Sequence, residues 1–271
     1  MTERHYSLEQ KLQRLELILS EMGTALIAFS GGVDSSFLLA FAAQTCKDKI
    51  TALMTVSAST PPEDEQQATE LVALLKVPFI KVKHDELAIS EYVANPSNRC
   101  YFCKDSLYAI CQKEAKRLSL QSIADGVNVD DLADYRPGLQ AALEYNILHP
   151  LVDAGLTKSD IRQGSRLIGL QTWDKPASPC LASRIPYGSK IQEKMLSQIA
   201  EGETYIRSLG LREVRLRHHG EIARIEISKS ELSSFTSPYK IMKIGKKLKD
   251  LGFSFASLDL GGYKTGIFNH K

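Results

Sequence analysis

Two clusters of residues carry functional chemistry in this 271-residue sequence. The first is sulfur. Cys100 and Cys103 form a Cys-x-x-Cys pair in SNRCYFCKDS, and Cys180 lies downstream in TWDKPASPCLASRIPYG, a stretch stiffened by Pro176, Pro179 and Pro186. The pair alone admits a redox dithiol at a helix start, a metal site such as closed zinc with His84 or His149 as fourth ligand, or unrelated free thiols. Cys46 and Cys111 fall in helical stretches and read as core. The second cluster is Ser30-Gly31-Gly32-Val33-Asp34-Ser35-Ser36. Two glycines let the backbone turn with its N–H groups inward, a following helix start adds partial positive charge, and Ser30, Ser35 and Ser36 add hydroxyl donors, so the loop can cradle an anion. The plainer reading of such a string is a Ser/Gly turn capping a helix.

The elements that must position these residues follow from apolar spacing. SLEQKLQRLELILSEM sets Leu8, Leu12, Leu15 and Leu19 at helical intervals, ended by Gly23. Short unalternated runs then alternate with helical stretches: TALIAFS, a helix from Ser35, ITALMTVS, a helix from about Glu63, VPFIKVKH, a helix through KDSLYAICQKEAKRL, QSIADG, a helix near GLQAALEY, and NILHPL. The pattern predicts an α/β fold with a doubly wound parallel five-stranded sheet. After RIPYG the texture changes to a helix, alternating strands (EVRLRHH, IARIEIS), another helix and a strand (FSFASLDLGG), which predicts a smaller α+β domain. The expected division is 1–188 and 189–271.

The string SGGVDSS resembles the PP-loop of the ATP pyrophosphatases; it lacks the lysine and the longer spacing of a Walker loop. That resemblance implies ATP as substrate, with Ser30, Gly31, Gly32, Asp34, Ser35 and Ser36 gripping the β- and γ-phosphates while a nucleophile attacks the α-phosphorus. It further implies that the backbone at Thr55-Val56-Ser57 meets adenine, that Gly126 lies in the nucleotide site, and that Lys158 binds phosphate, although an exposed lysine in a first helical turn is the bland alternative. Ligands of doubly wound folds sit at the carboxyl ends of strands. Asp130 and Asp131, with Asp134 beyond them, follow such an end and are candidate Mg²⁺ ligands, or else members of a solvated turn.

KPASPCLASRIPYG, DYRPG (Asp134 to Gly138), RLRHHGEIARIEI and LDLGGYKTG resemble the LarE family, sulfur-insertion enzymes of nickel-pincer cofactor synthesis for lactate racemase, and the likeness runs from the PP-loop to Gly266. The resemblance implies adenylation of a carboxylate of pyridinium-3,5-biscarboxylic acid mononucleotide and its conversion to a thiocarboxylate, with AMP and pyrophosphate released. In single-cysteine members the cysteine at the Cys180 position gives up its own sulfur. Members that add a Cys-x-x-Cys are thought to hold a 4Fe-4S cluster, and this chain has that pattern in Cys100, Cys103 and Cys180. Three thiolates leave one iron open for a transferable sulfur. Arg215 and Arg217 alternate along one strand and share a face, Glu226 lies on the next strand and Glu203 on the preceding helix. The resemblance makes them an anion and metal pocket; a salt-bridged sheet surface is the alternative. Arg184, following Cys180, is a candidate for substrate phosphate.

Composition bounds these expectations. No apolar run approaches the roughly 20 residues of a membrane span. The start lacks the basic, apolar and small-residue zones of a secretory signal. Five cysteines is an odd count, so a reducing cytoplasm and no membrane partner are expected. A net charge of +2 gives no argument for nucleic acid, and KIMKIGKKLK reads as the solvated face of a helix. Expected partners are the small nucleotide substrate, other nickel-pincer biosynthesis proteins and further copies of the chain. The alternatives are a 4Fe-4S tRNA thiolase, whose family commonly shows lysine where this chain has Val33 together with zinc ribbons or basic extensions, and a nucleotide-binding or iron-sulfur carrier without turnover.

Overall fold

The computed structural model describes residues 6–133 and 136–263; Asp134 and the KTG end of the LDLGGYKTG string lie outside them. The elements run α1 (Leu8–Glu21), β1 (Ala25–Ala28), α2 (Val33–Cys46), β2 (Ile50–Val56), α3 (Pro62–Leu75), β3 (Phe79–Lys83), α4 (Ser90–Val93), α5 (Arg99–Arg117), β4 (Ser122–Asp125), α6 (Gly138–Glu144), α7 (Pro150–Asp153), α8 (Lys158–Leu167), α9 (Glu193–Ser208), β5 (Val214–His219), β6 (Ile222–Ile227), α10 (Leu232–Phe235), α11 (Pro238–Asp250) and β7 (Phe255–Leu258). They form two compact units. One comprises residues up to Ser57, Pro62–His84 and Asn98–Ser178; the other comprises Ala58–Pro61, Asp85–Ser97 and the chain from Pro179.

The first unit is built on a parallel sheet of order β3-β2-β1-β4. All four residues of β1 are buried, and successive side chains of a strand point to opposite faces. Ala25 and Ile27 accordingly enter a core with Leu15, Leu19, Phe37, Val72 and Ile161 from α1, α2, α3 and α8. Leu26 and Ala28 enter a separate core with Leu107, Cys111 and Ala115 of α5. Helices thus cover both faces, which is why these strands read as unbroken apolar runs. The α1 helix starts where its sequence says it should: Ser7 and Gln10 close a reciprocal capping box.

The sheet has four strands, not the expected five. NILHPL supplies a single parallel bridge, Leu148 to Ala124. Asn146 takes a positive φ of 53° just before it, and Pro150 opens α7 just after it, so the extended segment is cut short at both ends.

In the second unit β5 and β6 pair antiparallel and β6 and β7 parallel. Ile206, Leu216, Ile225, Ile244, Leu248 and Phe253 fill the core between this sheet and helices α9 and α11. Residues 179–188, grouped with the first domain on sequence grounds, pack here. Leu181 N–H donates to Ser59 O at 2.8 Å, and the fully buried Asn95 amide donates to the carbonyls of Pro186 at 2.8 Å and Ser189 at 3.0 Å.

Candidate functional site

The Ser30–Ser36 loop leaves the carboxyl end of β1 and opens α2. Gly31 has φ +73°, and a Cβ there would stand 3.1 Å from Asp64 O. Ser30 and Ser35 hydroxyls meet at 3.1 Å, and Ser35 Oγ donates to Gly32 O at 3.3 Å. Gly32 caps α2 without any side-chain acceptor, so the N–H groups of the first turn are not satisfied by a cap. Gly126, just past β4, comes so close that a Cβ would lie 2.7 Å from Ser35 N. Only glycine lets the β4 loop reach the helix start.

Lys158 and Asp130, both singled out from the sequence, join Gly126 at that start. Lys158, in the first turn of α8, reaches Asp34 Oδ2 at 2.5 Å. Its own N–H donates to Asp130 Oδ2 at 2.7 Å. Asp34 Oδ1 is buried with no hydrogen-bond partner among the described residues, an unmatched acceptor that suits a hard cation. Asp131 is occupied structurally: Oδ2 accepts from Asn128 N–H at 3.1 Å, and Oδ1 pairs with Arg136 at 2.6 Å. Burial raises its carboxyl above the ordinary value, with Asp34 adding to the effect and the Asn128 N–H and Arg136 opposing it. Thr55 lies near the carboxyl end of β2, and Val56 O accepts from His84 N–H at 2.9 Å.

Lys175 and Asp64 escaped the sequence reading. Lys175 Nζ donates to Gly31 O at 3.0 Å and pairs with Asp64 at 2.8 Å, while Ser178 Oγ donates to Asp64 Oδ2 at 2.6 Å. A cation therefore sits on the anion loop itself. Its only sequence signal was a lysine beside the irregular proline-rich stretch.

The cysteines divide by exposure. Cys46 and Cys111 are buried, as expected of core residues, whereas Cys100 is exposed and Cys103 and Cys180 are partly so. Burial, countered by Lys104, pushes the Cys111 thiol up to about 12. Cys100 and Cys103 lie in the first turn of α5, at a spacing that puts both on one helix face. Among the described residues no three His, Cys, Asp or Glu side chains stand gathered as a metal site. The first unit supplies two accessible thiols and the second supplies Cys180.

In the second unit Cys180 precedes a short turn, Leu181–Arg184. Arg184 is fully buried. It donates to Glu203 through Nε at 2.9 Å and Nη2 at 3.1 Å, and through Nη1 to Pro179 O at 2.6 Å and Cys180 O at 3.2 Å. Burial alone would raise Glu203; the Arg184 and Arg207 guanidiniums hold its carboxyl below the usual range. Arg217 pairs with Glu226 at 2.9 Å and donates to Ser183 O at 2.9 Å. Arg224 pairs with the other oxygen of Glu226 at 2.9 Å. Arg215 donates to Val214 O at 2.8 Å and stands 4.8 Å over the Tyr263 ring. Within this unit Arg184 is joined to Glu203 and Arg217 to Glu226, and both arginines hold the backbone of the Cys180 loop.

A parallel α/β sheet flanked by helices, with a Ser/Gly loop between β1 and α2 and a small mixed sheet after it, is an architecture consistent with the LarE-like PP-loop fold. No family model matches the chain. Three curated proteins do. An uncharacterised protein of Synechocystis is 40% identical over 262 residues, 97% of this chain and 98% of its own. Pyridinium-3,5-bisthiocarboxylic acid mononucleotide synthase of Lactiplantibacillus plantarum is 31% identical over 264 residues, 97% of this chain and 95% of its own. An uncharacterised protein of Methanocaldococcus jannaschii is 30% identical over 240 residues, 89% of this chain and 90% of its own. The chain belongs to the LarE family, that of the pyridinium-3,5-bisthiocarboxylic acid mononucleotide synthase.

Proposed function

We propose that the protein is an ATP-dependent sulfur transferase that converts a carboxylate of pyridinium-3,5-biscarboxylic acid mononucleotide into a thiocarboxylate. The observation that carries this reading is the likeness along 97% of the chain to the Lactiplantibacillus plantarum synthase. The uncapped helix start at Gly32 supports it, because it is built to receive an anion. A carboxylate is a poor electrophile. An oxygen of the substrate carboxylate attacks the α-phosphorus of ATP, a new O–P bond forms, and pyrophosphate leaves into the loop of Ser30, Gly31, Gly32, Asp34, Ser35 and Ser36. Lys158 and Lys175 stand beside that loop to balance the charge that develops. A sulfur nucleophile then forms a C–S bond while the C–O bond to AMP breaks.

Mg²⁺ usually takes one or two protein carboxylates and completes its shell with phosphates and water; Asp34 through its unpartnered Oδ1, with Asp130 nearby, would hold it. Thiolates are the ligands of iron-sulfur clusters, and Cys100, Cys103 and Cys180 are the accessible thiols of the chain. Together they would hold a 4Fe-4S cluster, which supplies a labile sulfur when bound. The Arg184 clamp on the Pro179 and Cys180 carbonyls fixes the backbone from which the third thiol projects.

The test is pyrophosphate release from Mg-ATP by the purified protein. Addition of the pyridinium dicarboxylate mononucleotide should trigger it, and tRNA should not. No release with the pyridinium nucleotide, or release with tRNA alone, would overturn the reading.

A further inference from the structure

We propose that His149 is the base that accepts the proton of the incoming sulfur, with Asp125 and Tyr108 as the residues that position it. This deepens the sulfur-transferase reading and rests on it.

Asp125 ends β4 and is almost wholly buried. Its Oδ1 lies 2.8 Å from His149 Nδ1 and accepts Val127 N–H at 3.1 Å; its Oδ2 accepts Tyr108 O–H at 2.6 Å, with Lys104 Nζ at 4.0 Å. Burial would raise this carboxyl, yet the His149 hydrogen bond, the Lys104 charge and the Tyr108 hydroxyl hold it below the usual range. An ionised carboxylate only accepts hydrogen bonds. In the neutral imidazole this contact places the hydrogen on Nδ1 and leaves the Nε2 lone pair as the reactive position. A carboxylate that fixes an imidazole tautomer in this manner serves proton transfer in other enzymes.

Placement adds the second argument. Asp125 is bonded to Gly126, whose Cα approaches Ser35 of the anion loop closely enough to exclude a Cβ. His149 follows Leu148, bridged to β4, at the same carboxyl edge of the sheet, where doubly wound folds bind ligands. Its side chain is 22% exposed. Among the described residues the charged and titratable groups around it are Asp125 from β4 and Lys104 and Tyr108 from α5, and α7 adds Asp153, whose N–H donates to His149 O at 3.0 Å. None of them has another assigned role. The sulfur arrives as a thiol or hydrosulfide; as its electron pair forms the C–S bond and AMP leaves with the C–O pair, its proton passes to His149 Nε2.

The experiment follows pyrophosphate and thiolated product together in single turnovers with the pyridinium substrate, Mg-ATP and sodium sulfide across pH. His149→Gln should lower product formed per pyrophosphate released by about 10²-fold or more and flatten the acid limb of the product profile. Asp125→Asn should do the same by upsetting the tautomer. Nitrogen-15 spectra should show the Nδ1–H form of His149 in the wild-type protein and its loss in Asp125→Asn. Unchanged product per pyrophosphate and an unchanged pH profile in His149→Gln, or an Nε2–H imidazole in the wild type, would overturn this assignment alone. A wild-type protein that releases no pyrophosphate would overturn the functional reading and the assignment with it.

Discussion

Replacing Glu203 with Gln keeps the shape and an acceptor oxygen for Leu216 N–H, which donates at 3.0 Å, but deletes the charge. The two facing arginines respond differently. Arg207 has a side chain 27% exposed and can turn to water, so its share of the loss is about 0–1 kcal/mol. Arg184 is 0% exposed and cannot. A buried guanidinium without its counter-charge costs about 3–5 kcal/mol, so Glu203→Gln should destabilise the protein by at least about 3 kcal/mol in urea titrations. The pH dependence has a definite sign. A carboxylate lowered in the folded state stabilises above its unfolded value and loses that contribution as pH falls through the folded one. The wild type should therefore lose stability on acidification below the ordinary glutamate range, and Glu203→Gln should lose less over the same interval. Because Arg184 also holds the Pro179 and Cys180 carbonyls, Cys180 should alkylate faster in the variant at pH 7. A loss under about 1 kcal/mol with unchanged Cys180 labelling would refute the argument that this ion pair holds the loop.

Gly126→Ala should weaken ATP binding by about five- to a hundredfold, since its methyl meets Ser35 N at 2.7 Å and overpacking of this kind costs about 1–3 kcal/mol; calorimetric titration with ATP reads it. Brief iodoacetamide labelling of the native apoprotein followed by peptide mapping should modify Cys100, Cys103 and Cys180 and spare Cys46 and Cys111, the last because burial holds its thiol protonated. Anaerobic reconstitution should load about four irons, the content of one 4Fe-4S cluster, and Cys100→Ala, Cys103→Ala or Cys180→Ala should each abolish it. Sulfur loss from Cys180 at each turnover, with Cys100 and Cys103 dispensable, would refute the cluster.

Periodicity and punctuation made much of this fold readable. Leu15 and Leu19 at helical spacing and the unbroken run of β1 each reflect burial within a few residues of one another. The turn from β1 into α2 was readable for the same reason, since its glycines and serines are contiguous. NILHPL was misread because its apolar residues fit a strand, while the positive φ of Asn146 and the helix opened by Pro150 decided otherwise. Pairings across long separations left no local trace. Lys175 on Gly31, Tyr108 and His149 on Asp125, and Arg184 on Glu203 each join residues whose neighbours in sequence show no pattern. The LarE resemblance cast the second-unit charges as an anion and metal pocket; which of them pair, Arg184 with Glu203 and Arg217 with Glu226, could not be read from the sequence.

The most direct test of the sulfur-transferase account is mass spectrometry of the pyridinium dicarboxylate mononucleotide after incubation with the protein, Mg-ATP and sulfide. The account predicts a product in which a carboxylate oxygen has been replaced by sulfur, with AMP and pyrophosphate formed in equal amounts. An unaltered nucleotide, with ATP either intact or cleaved to ADP and phosphate, would contradict it.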